Sequence, residues 1–445
     1  MKIALIGAGS RSFGPAMLRD IFLSDALNRE PPEIALMDVA AAAIADSARY
    51  AERLNERLRR RLKVSATTDL RAAVRGANFV VCAIEVNRYL YWSQDFHVPR
   101  HYGFRQPFGE NGGIGGIFHA LRNIKPMVEI ARAMEELSPG AMLLNFTNPE
   151  HKVCQALTQL TSVPTIGLCH GVFMGRRQIA QILEIPEEHL LTRACGLNHF
   201  TFFQVIRDRR TGEDLYPRLR EAERDGNWLS RWGEIGLGRI LFRRFGLWPS
   251  PAANHYGEYI RWADEFVPAE AQYFYDPADG HPWQTGEVPQ FIYELSGREF
   301  SQPWRPQPSA PPPAEEPALE PSGELAVPIM ECVACGMTHD LEAINVPNHG
   351  AIPSLPDDLV VEVPAAGERG ELKPCRMAAM PEAIAALMRT QASIHKLIVE
   401  AYAQRSKDIL LQAILLEPTV DSYRRAVAMM DQMLELQRDI LPPLR

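Results

Sequence analysis

Residues 2–14, KIALIGAGSRSFG, run an apolar stretch straight into a glycine-rich turn. A short buried strand that ends in closely spaced glycines and then opens a helix is the plan of a dinucleotide-binding βα unit. The glycines let backbone approach a pyrophosphate at the helix N-terminus. Gly7 and Gly9 take the first two glycine positions and Ser10 follows them; the third position holds Ser12, with Gly14 two residues on. EIALMD, at 33–38, closes a second strand on Asp38, where a carboxylate accepts hydrogen bonds from the adenosine ribose and disfavours a 2′-phosphate. A plain tight turn with a strand-end acid is the competing explanation. Taken together, the features favour NAD over NADP.

Working outward, FVVCAI (79–84), AMLLNFT (141–147) and TIGLC (165–169) continue the series of short, continuous apolar runs, separated by helical stretches. Such runs fit strands buried on both faces of a parallel sheet with right-handed crossovers. The fold class expected is α/β, with an N-terminal Rossmann-like doubly wound parallel sheet over 1–190. From about 190 the pattern changes. RACGLNHFTFFQVI (193–206) reads as one strand with partial alternation, followed by helices and by further strands around 342–363. That predicts an α+β domain over 191–445, carrying substrate, metal and oligomerisation surfaces. Apolar residues at spacings of three and four in IAALMRTQASIHKLIVEAYA predict helix within 381–440. PWRPQPSAPPPAEEPALEPSGELAVP (303–328) is proline-rich and acidic, which favours an extended, mobile loop; a ligand for a proline-recognising partner is the less favoured alternative.

Composition narrows the function classes. The chain has 445 residues, is 46% hydrophobic and carries a formal net charge of −8, so it suits two folded domains and not a nucleic-acid surface. The basic cluster ERLRRRLK (56–63) reads as a solvated helix face. No apolar run reaches the roughly 20 residues that span a bilayer, and the N-terminus enters a core strand without a basic leader, so a cytoplasmic protein off the membrane is expected. Seven cysteines in an odd count fit a reducing compartment.

Cys169 and His199 lie too far apart in sequence for a local zinc knuckle, yet each sits at or beyond a strand end. One thiolate and one imidazole would leave a divalent ion open positions for substrate oxygens, although the spacing by itself favours a buried cysteine and a satisfied histidine. CVAC (332–335) with His339 resembles half a zinc site without a second half, which favours ordinary packing. His97, His101 and His119 flank the glycine-rich stretch and are candidates to line a pocket.

IGAGS, EVNRYLYWSQDFHVPRHYGFRQ (85–106), GENGGIGGIFHALRNI (109–124), NFTNP (145–149), GLCHG (167–171), GLNHF (196–200), HYGEYI (255–260) and NVPNHGAIPSLPDDLVVEVPA (345–365) occur in this order. Together they resemble glycoside hydrolase family 4, nearest its α-galactosidase, α-glucosidase and α-galacturonidase branches. The resemblance spans nearly the whole chain apart from the proline-rich insertion. It implies an NAD- and Mn-dependent glycosidase (Mn2+ or another divalent ion) in place of the paired carboxylates of most glycosidases. Its reaction is oxidation at C3 of the sugar, loss of the C2 proton, elimination of the glycosidic oxygen, water addition and re-reduction.

Carried onto this chain, the resemblance makes Cys169 and His199 the metal ligands and Asn148 a substrate-binding residue. Asn87 and Arg88 fall where cofactor and sugar meet. His170 stands where the phospho-sugar branch has an aspartate as general acid. HYGEYI offers His255, Tyr256, Glu258 and Tyr259, with His255 or Tyr256 favoured as base. Related sequences show GDTLGPGG where this chain has GENGGIGG, so Glu110 keeps the carboxylate of a shorter acid as a catalytic candidate but shifts it along a longer side chain. The implied substrate is a small-molecule, α-linked, non-phosphorylated glycoside. A uronide is also open, because Arg88, Arg100 and Arg105 could pair a carboxylate. A homo-oligomer, dimer or tetramer, is implied as well. The two-domain plan also resembles lactate and malate dehydrogenases, which keeps an NAD-dependent 2-hydroxy-acid or polyol dehydrogenase as the alternative. No segment of the GxHGD type supports it. A non-catalytic NAD-binding regulator is the third reading, and it gives the Cys/His pair no role.

Overall fold

A computed structural model describes residues 1–10, 13–225, 235–267 and 319–445. Six strands form the parallel part of the sheet: β1 (Lys2–Ile6), β2 (Glu33–Met37), β3 (Lys63–Thr67), β4 (Phe79–Cys82), β5 (Met142–Asn145) and β6 (Thr165–Gly167). Their spatial order is β3-β2-β1-β4-β5-β6, the doubly wound arrangement in which the crossover direction reverses between β1 and β4. β1 shows why its run is continuously apolar. Ile3 and Leu5 pack with Phe22, Ile34 and Leu54 on one face, while Ala4 and Ile6 pack with Val80, Met127 and Leu143 on the other. β3, KVSAT, has no apolar run to announce it. It pairs only with β2, at the sheet edge, and its side chains are exposed or half-buried. The basic cluster at 56–63 accordingly spans a helix end, a turn and the first residue of β3, and is not one helix face.

The second half joins the same sheet through antiparallel strands: β7 (Leu190–Leu197), β8 (Phe200–Asp208), β9 (Trp248–Ser250), β10 (His339–Pro347), β11 (Val360–Glu368) and β12 (Glu371–Pro374). The stretch expected as one strand at 193–206 is a hairpin. Leu197 pairs with Phe200, leaving Asn198 and His199 as a two-residue turn, and His199 takes φ 64°. Only the asparagine signals a turn there, because the flanking side chains are buried on both strands. The helices Glu382–Gln404, Lys407–Leu416 and Tyr423–Leu436 occupy the predicted C-terminal region. They pack against the long helix Gly113–Leu137 through Ile114, Ile117 and Leu121 on one side and Ile394, Ile398 and Met429 on the other. Arg122 of that long helix is fully buried and bonds Asp95 at 2.7 Å and Gln437 at 2.9 Å, tying three helices together.

The parallel and antiparallel parts of the sheet meet at one residue pair, and a second single pair links two of the antiparallel strands. β10 joins β6 at the pair Asn345 and Gly167, and β11 joins β7 at Glu362 and Gly196. Both contacts lie just before the residues of interest, since Gly167 precedes Cys169 and Gly196 precedes His199. Residues 303–318 of the proline-rich stretch lie outside the described residues. The chain resumes with Ser322, whose backbone N–H donates to Asp20 at 2.8 Å, and a helix begins at Ala326, inside the stretch expected to be extended.

Candidate active site

A cleft of about 1390 Å³ opens along the C-terminal ends of the parallel strands, from Gly9 and Asp38 at one end to Cys169, His199 and His255 at the other. That exceeds the roughly 300–1,000 Å³ usual for one small ligand, and so suits two ligands end to end. The nucleotide end is shaped by backbone. Gly7 has φ 82°, and a Cβ there would lie 2.1 Å from the Ala83 carbonyl oxygen, so β1 can abut β4 only with glycine. Asp38 accepts from the Gly9 N–H at 3.0 Å and from the Ala40 N–H at 3.0 Å, which fixes its carboxylate at the cleft mouth. Ser10 accepts from the Phe13 N–H at 3.2 Å and so opens the first helix. Ser12 lies outside the described residues.

The opposite end is built from side chains. Cys169 follows β6 directly, His170 precedes the helix Gly171–Leu183, and His199 sits in the β7–β8 turn. Glu110, His199 and His255 each offer a ligand atom, and these atoms lie within 4.8 Å of one another. Burial, reinforced by neighbouring cationic groups, pushes the His199 imidazole well below its ordinary pKa; burial carries His255 down to about 4 against the opposing pull of Glu110. Both rings are therefore neutral at pH 7 and keep a lone pair. His199 Nδ1 is buried without a hydrogen-bond partner, whereas His255 Nδ1 lies 2.6 Å from Asn254 Oδ1. That bond holds the ring so that its other nitrogen is available to a ligand. Phe108 packs against the same ring at 4.7 Å.

Two neutral imidazoles and a carboxylate suit a divalent ion, and Cys169 lines the same cleft. Burial, with Glu362 nearby, raises the Cys169 thiol, so a thiolate there calls for a cation beside it. Glu362 is itself pushed up to about 7 by burial and accepts from Asn198, the neighbour of His199, at 3.3 Å.

Arg88, at the start of the helix Arg88–His101, donates to Glu110 at 2.5 Å and to Glu85 at 3.3 Å, and its guanidinium lies over Trp92 at 4.3 Å. Asn148 places its amide 3.5 Å from the same Glu110 oxygen. Asn87 lines the cleft at an exposed position with φ 41°. His170 is largely exposed and pairs through Nδ1 with Glu324 at 3.3 Å, whose hydrogen bond raises its pKa.

One candidate is corrected. Tyr256 is buried in an apolar cluster with Leu237 and Leu241 and does not line the cleft; a Cβ on Gly238 would stand 2.6 Å from its hydroxyl. It follows His255 in a helical turn, and one helical step of about 100° turns it away from the cleft.

Other residues sort as follows. Arg100 bonds the Gln106 carbonyl, Arg105 pairs with Asp264, and neither lines the cleft; nor do His97 and His101. His339 pairs with Glu331, Cys332 is buried and Cys335 exposed, and no three-ligand cluster forms there among the described residues. Glu85 went unnoticed in sequence. It lies in the loop just after β4, lines the cleft and meets His119 Nε2 at 2.8 Å. Burial opposes its ionisation, but His119, Arg88 and Arg122 together hold it at about 2. Its position at a strand's C-terminal end beside the switch point was the available signal.

Comparison with known proteins adds to this geometry. Residues 2–185 match the model for family 4 glycosyl hydrolases, and residues 194–420 match the model of that family's C-terminal domain. An alpha-glucosidase of Erwinia rhapontici is 30% identical, covering 100% of this chain and 99% of its own. An alpha-galactosidase of Bacillus subtilis is 29% identical, with 99% of both chains covered. Among solved structures, a 6-phospho-beta glucosidase of Thermotoga maritima, determined with manganese, NAD+ and glucose-6-phosphate, superposes over 100% of both chains with a TM-score of 0.76 at 20% identity. A malate dehydrogenase of Plasmodium falciparum superposes over 91% of this chain and 99% of its own, with a TM-score of 0.51 at 12% identity.

Proposed function

Since the chain belongs to glycosyl hydrolase family 4, we propose that this cleft binds NAD and a divalent metal ion, Mn2+ by preference, and hydrolyses a non-phosphorylated, α-linked glycoside. The observation that carries the proposal is the convergence of Cys169, His199, His255 and Glu110 at the far end of a dinucleotide-shaped cleft. His199, Glu110 and Cys169 would hold the ion. When bound, the nicotinamide supplies a hydride acceptor and the ion a Lewis acid.

The chain's own residues do the rest. Asp38 takes the adenosine ribose. Asn148 and Arg88, both aimed at Glu110, orient sugar hydroxyls. His255, neutral and held by Asn254, takes the proton, and His170, paired with Glu324, gives one to the departing oxygen. Support for an uncharged sugar comes from Arg88. Among the described residues it is the one Lys or Arg side chain lining the cleft, and it is paired with two carboxylates. A sugar phosphate or uronate would need a cation there. Support for α-linkage comes from relatives named alpha-glucosidase, alpha-galactosidase and alpha-galacturonidase. We further read the enzyme as a cytoplasmic homo-oligomer. Among the described residues no helix is long and apolar enough to cross a membrane, and the seven cysteines are unpaired.

The test is hydrolysis of α- and β-linked aryl glycosides, galacturonides and 6-phosphoglycosides in deuterated water, with and without NAD and Mn2+. The expected outcome is cleavage of a neutral α-glycoside that needs both, with deuterium at C2 of the released sugar. Steady NADH formation from a hydroxy acid or polyol, with no glycoside cleaved, overturns the proposal.

A further inference from the structure

The Glu110 loop is held in place from outside. Glu258, fully buried in the turn after the helix Ala253–Tyr256, accepts from the backbone N–H of Glu110 at 2.8 Å and of Asn111 at 3.1 Å, one bond to each carboxylate oxygen. The Gly112 N–H also faces it. Successive N–H groups turned onto one carboxylate form an anion nest, here filled by the protein itself. A Cβ on Gly112 would lie 2.5 Å from Glu258 Cβ, so the loop rests directly on this side chain.

From the opposite side, the buried Lys152 of the helix Glu150–Leu160 donates Nζ to the Asn111 carbonyl, while its ammonium lies 5.8 Å from the Tyr259 ring centre. Asn111 in turn donates to Asn198, next to His199, at 3.2 Å. The loop's donors and its acceptor are thus taken by side chains from two distant segments. What the clamp orients is the Glu110 carboxylate, at the point where it meets His199 and His255.

We propose that Glu258 is a positioning residue for the metal centre: by gripping the N–H groups of Glu110 and Asn111 it sets the Glu110 carboxylate at the ion. The proposal rests on the metal reading above. A carboxylate is needed for the grip, since glutamine offers one acceptor oxygen and would set an NH2 group against a backbone donor.

The experiment measures Mn2+ affinity by electron paramagnetic resonance and NAD affinity by titration in the full-length protein, for wild type, E258Q, E110A and E110A/E258Q. Supporting residues of a metal site typically contribute roughly 10–100-fold to its affinity, and a loss of that size is expected for E258Q, with NAD affinity unchanged. In the E110A background the second substitution should cost nothing more, because Glu258 acts through Glu110. Wild-type Mn2+ affinity in E258Q overturns the proposal, and so does a loss that persists in full in the E110A background. Loss of Mn2+ and NAD affinity together would mark a purely structural role and overturns it too. Should E258Q fail to fold, Gly112→Ala lifts the same loop from Glu258, and the same selective loss of Mn2+ affinity is expected; normal affinity there overturns the proposal. A wild-type protein that takes up no Mn2+ overturns the metal reading itself, and this proposal with it, and is distinguishable from failure of the clamp alone.

Discussion

The two ends of the cleft are made differently. The nucleotide end comes from local backbone: one glycine-rich turn and one strand-end acid, with Asp38 fixed by two N–H groups. The metal end comes from side chains on separate stretches, Arg88, Glu110, Asn148, Cys169, His199 and His255, gathered close to where the parallel and antiparallel parts of the sheet touch at the single pair Asn345 and Gly167. Backbone geometry is set by a few neighbouring residues. A side-chain cluster needs the whole sheet to be in register before any member can act. The two ends should therefore fail independently, one through dinucleotide affinity and the other through metal affinity and turnover.

The largest effect is expected at His199. Replacing it with alanine removes a neutral nitrogen donor, and a Lewis-acid contribution of several kcal/mol corresponds to a fall in kcat/KM of roughly 10³-fold. NAD affinity should be unchanged, and calorimetric titration checks it. A parallel loss of NAD binding would break the distinction between the ends.

Glu85 comes next, where the two ends adjoin. Its folded-state carboxyl is depressed from 4.5 to about 2, so it contributes stability that is present above pH 4.5 and lost as pH falls toward 2. The upper bound is about 3 kcal/mol. Denaturant midpoints for wild type and Glu85→Gln, measured between pH 6 and 3, should converge on acidification. A constant gap would mean that the His119 and Arg88 contacts do not hold the charge.

Legibility in sequence follows the same division. The buried parallel strands could be read because both faces pack, as Ile3 and Ala4 do on opposite sides of β1, whereas the edge strand KVSAT has nothing apolar to display. The glycine turn and Asp38 were legible because their chemistry is local. Cys169, His199, Glu110 and His255 could be named through a family resemblance, but their convergence could not be derived from spacing. Glu258 shows the limit most plainly. It stood among four candidates in HYGEYI, and what separates it from Tyr256 is a direction in space, since one side chain grips a loop 148 residues away and the other packs against Gly238.

The smallest effect, and the sharpest check on independence, belongs to Asp38. Its two oxygens are each bound by a backbone N–H, which holds the carboxylate at the cleft mouth, where the proposed function has it accept from the ribose and repel a 2′-phosphate. Asp38→Ala removes a hydrogen bond to a charged group, worth about 1.5–3 kcal/mol, and leaves the Gly9 and Ala40 N–H groups exposed to solvent at the cleft mouth. NAD affinity should fall by that amount and the preference over NADP should shrink. Turnover at saturating NAD and Mn2+ affinity should both stay at wild-type values, because nothing between Asp38 and His199 depends on that carboxylate. If Mn2+ affinity falls as well, the glycine turn and the side-chain cluster form one mechanical unit, and the sheet between them transmits strain from end to end.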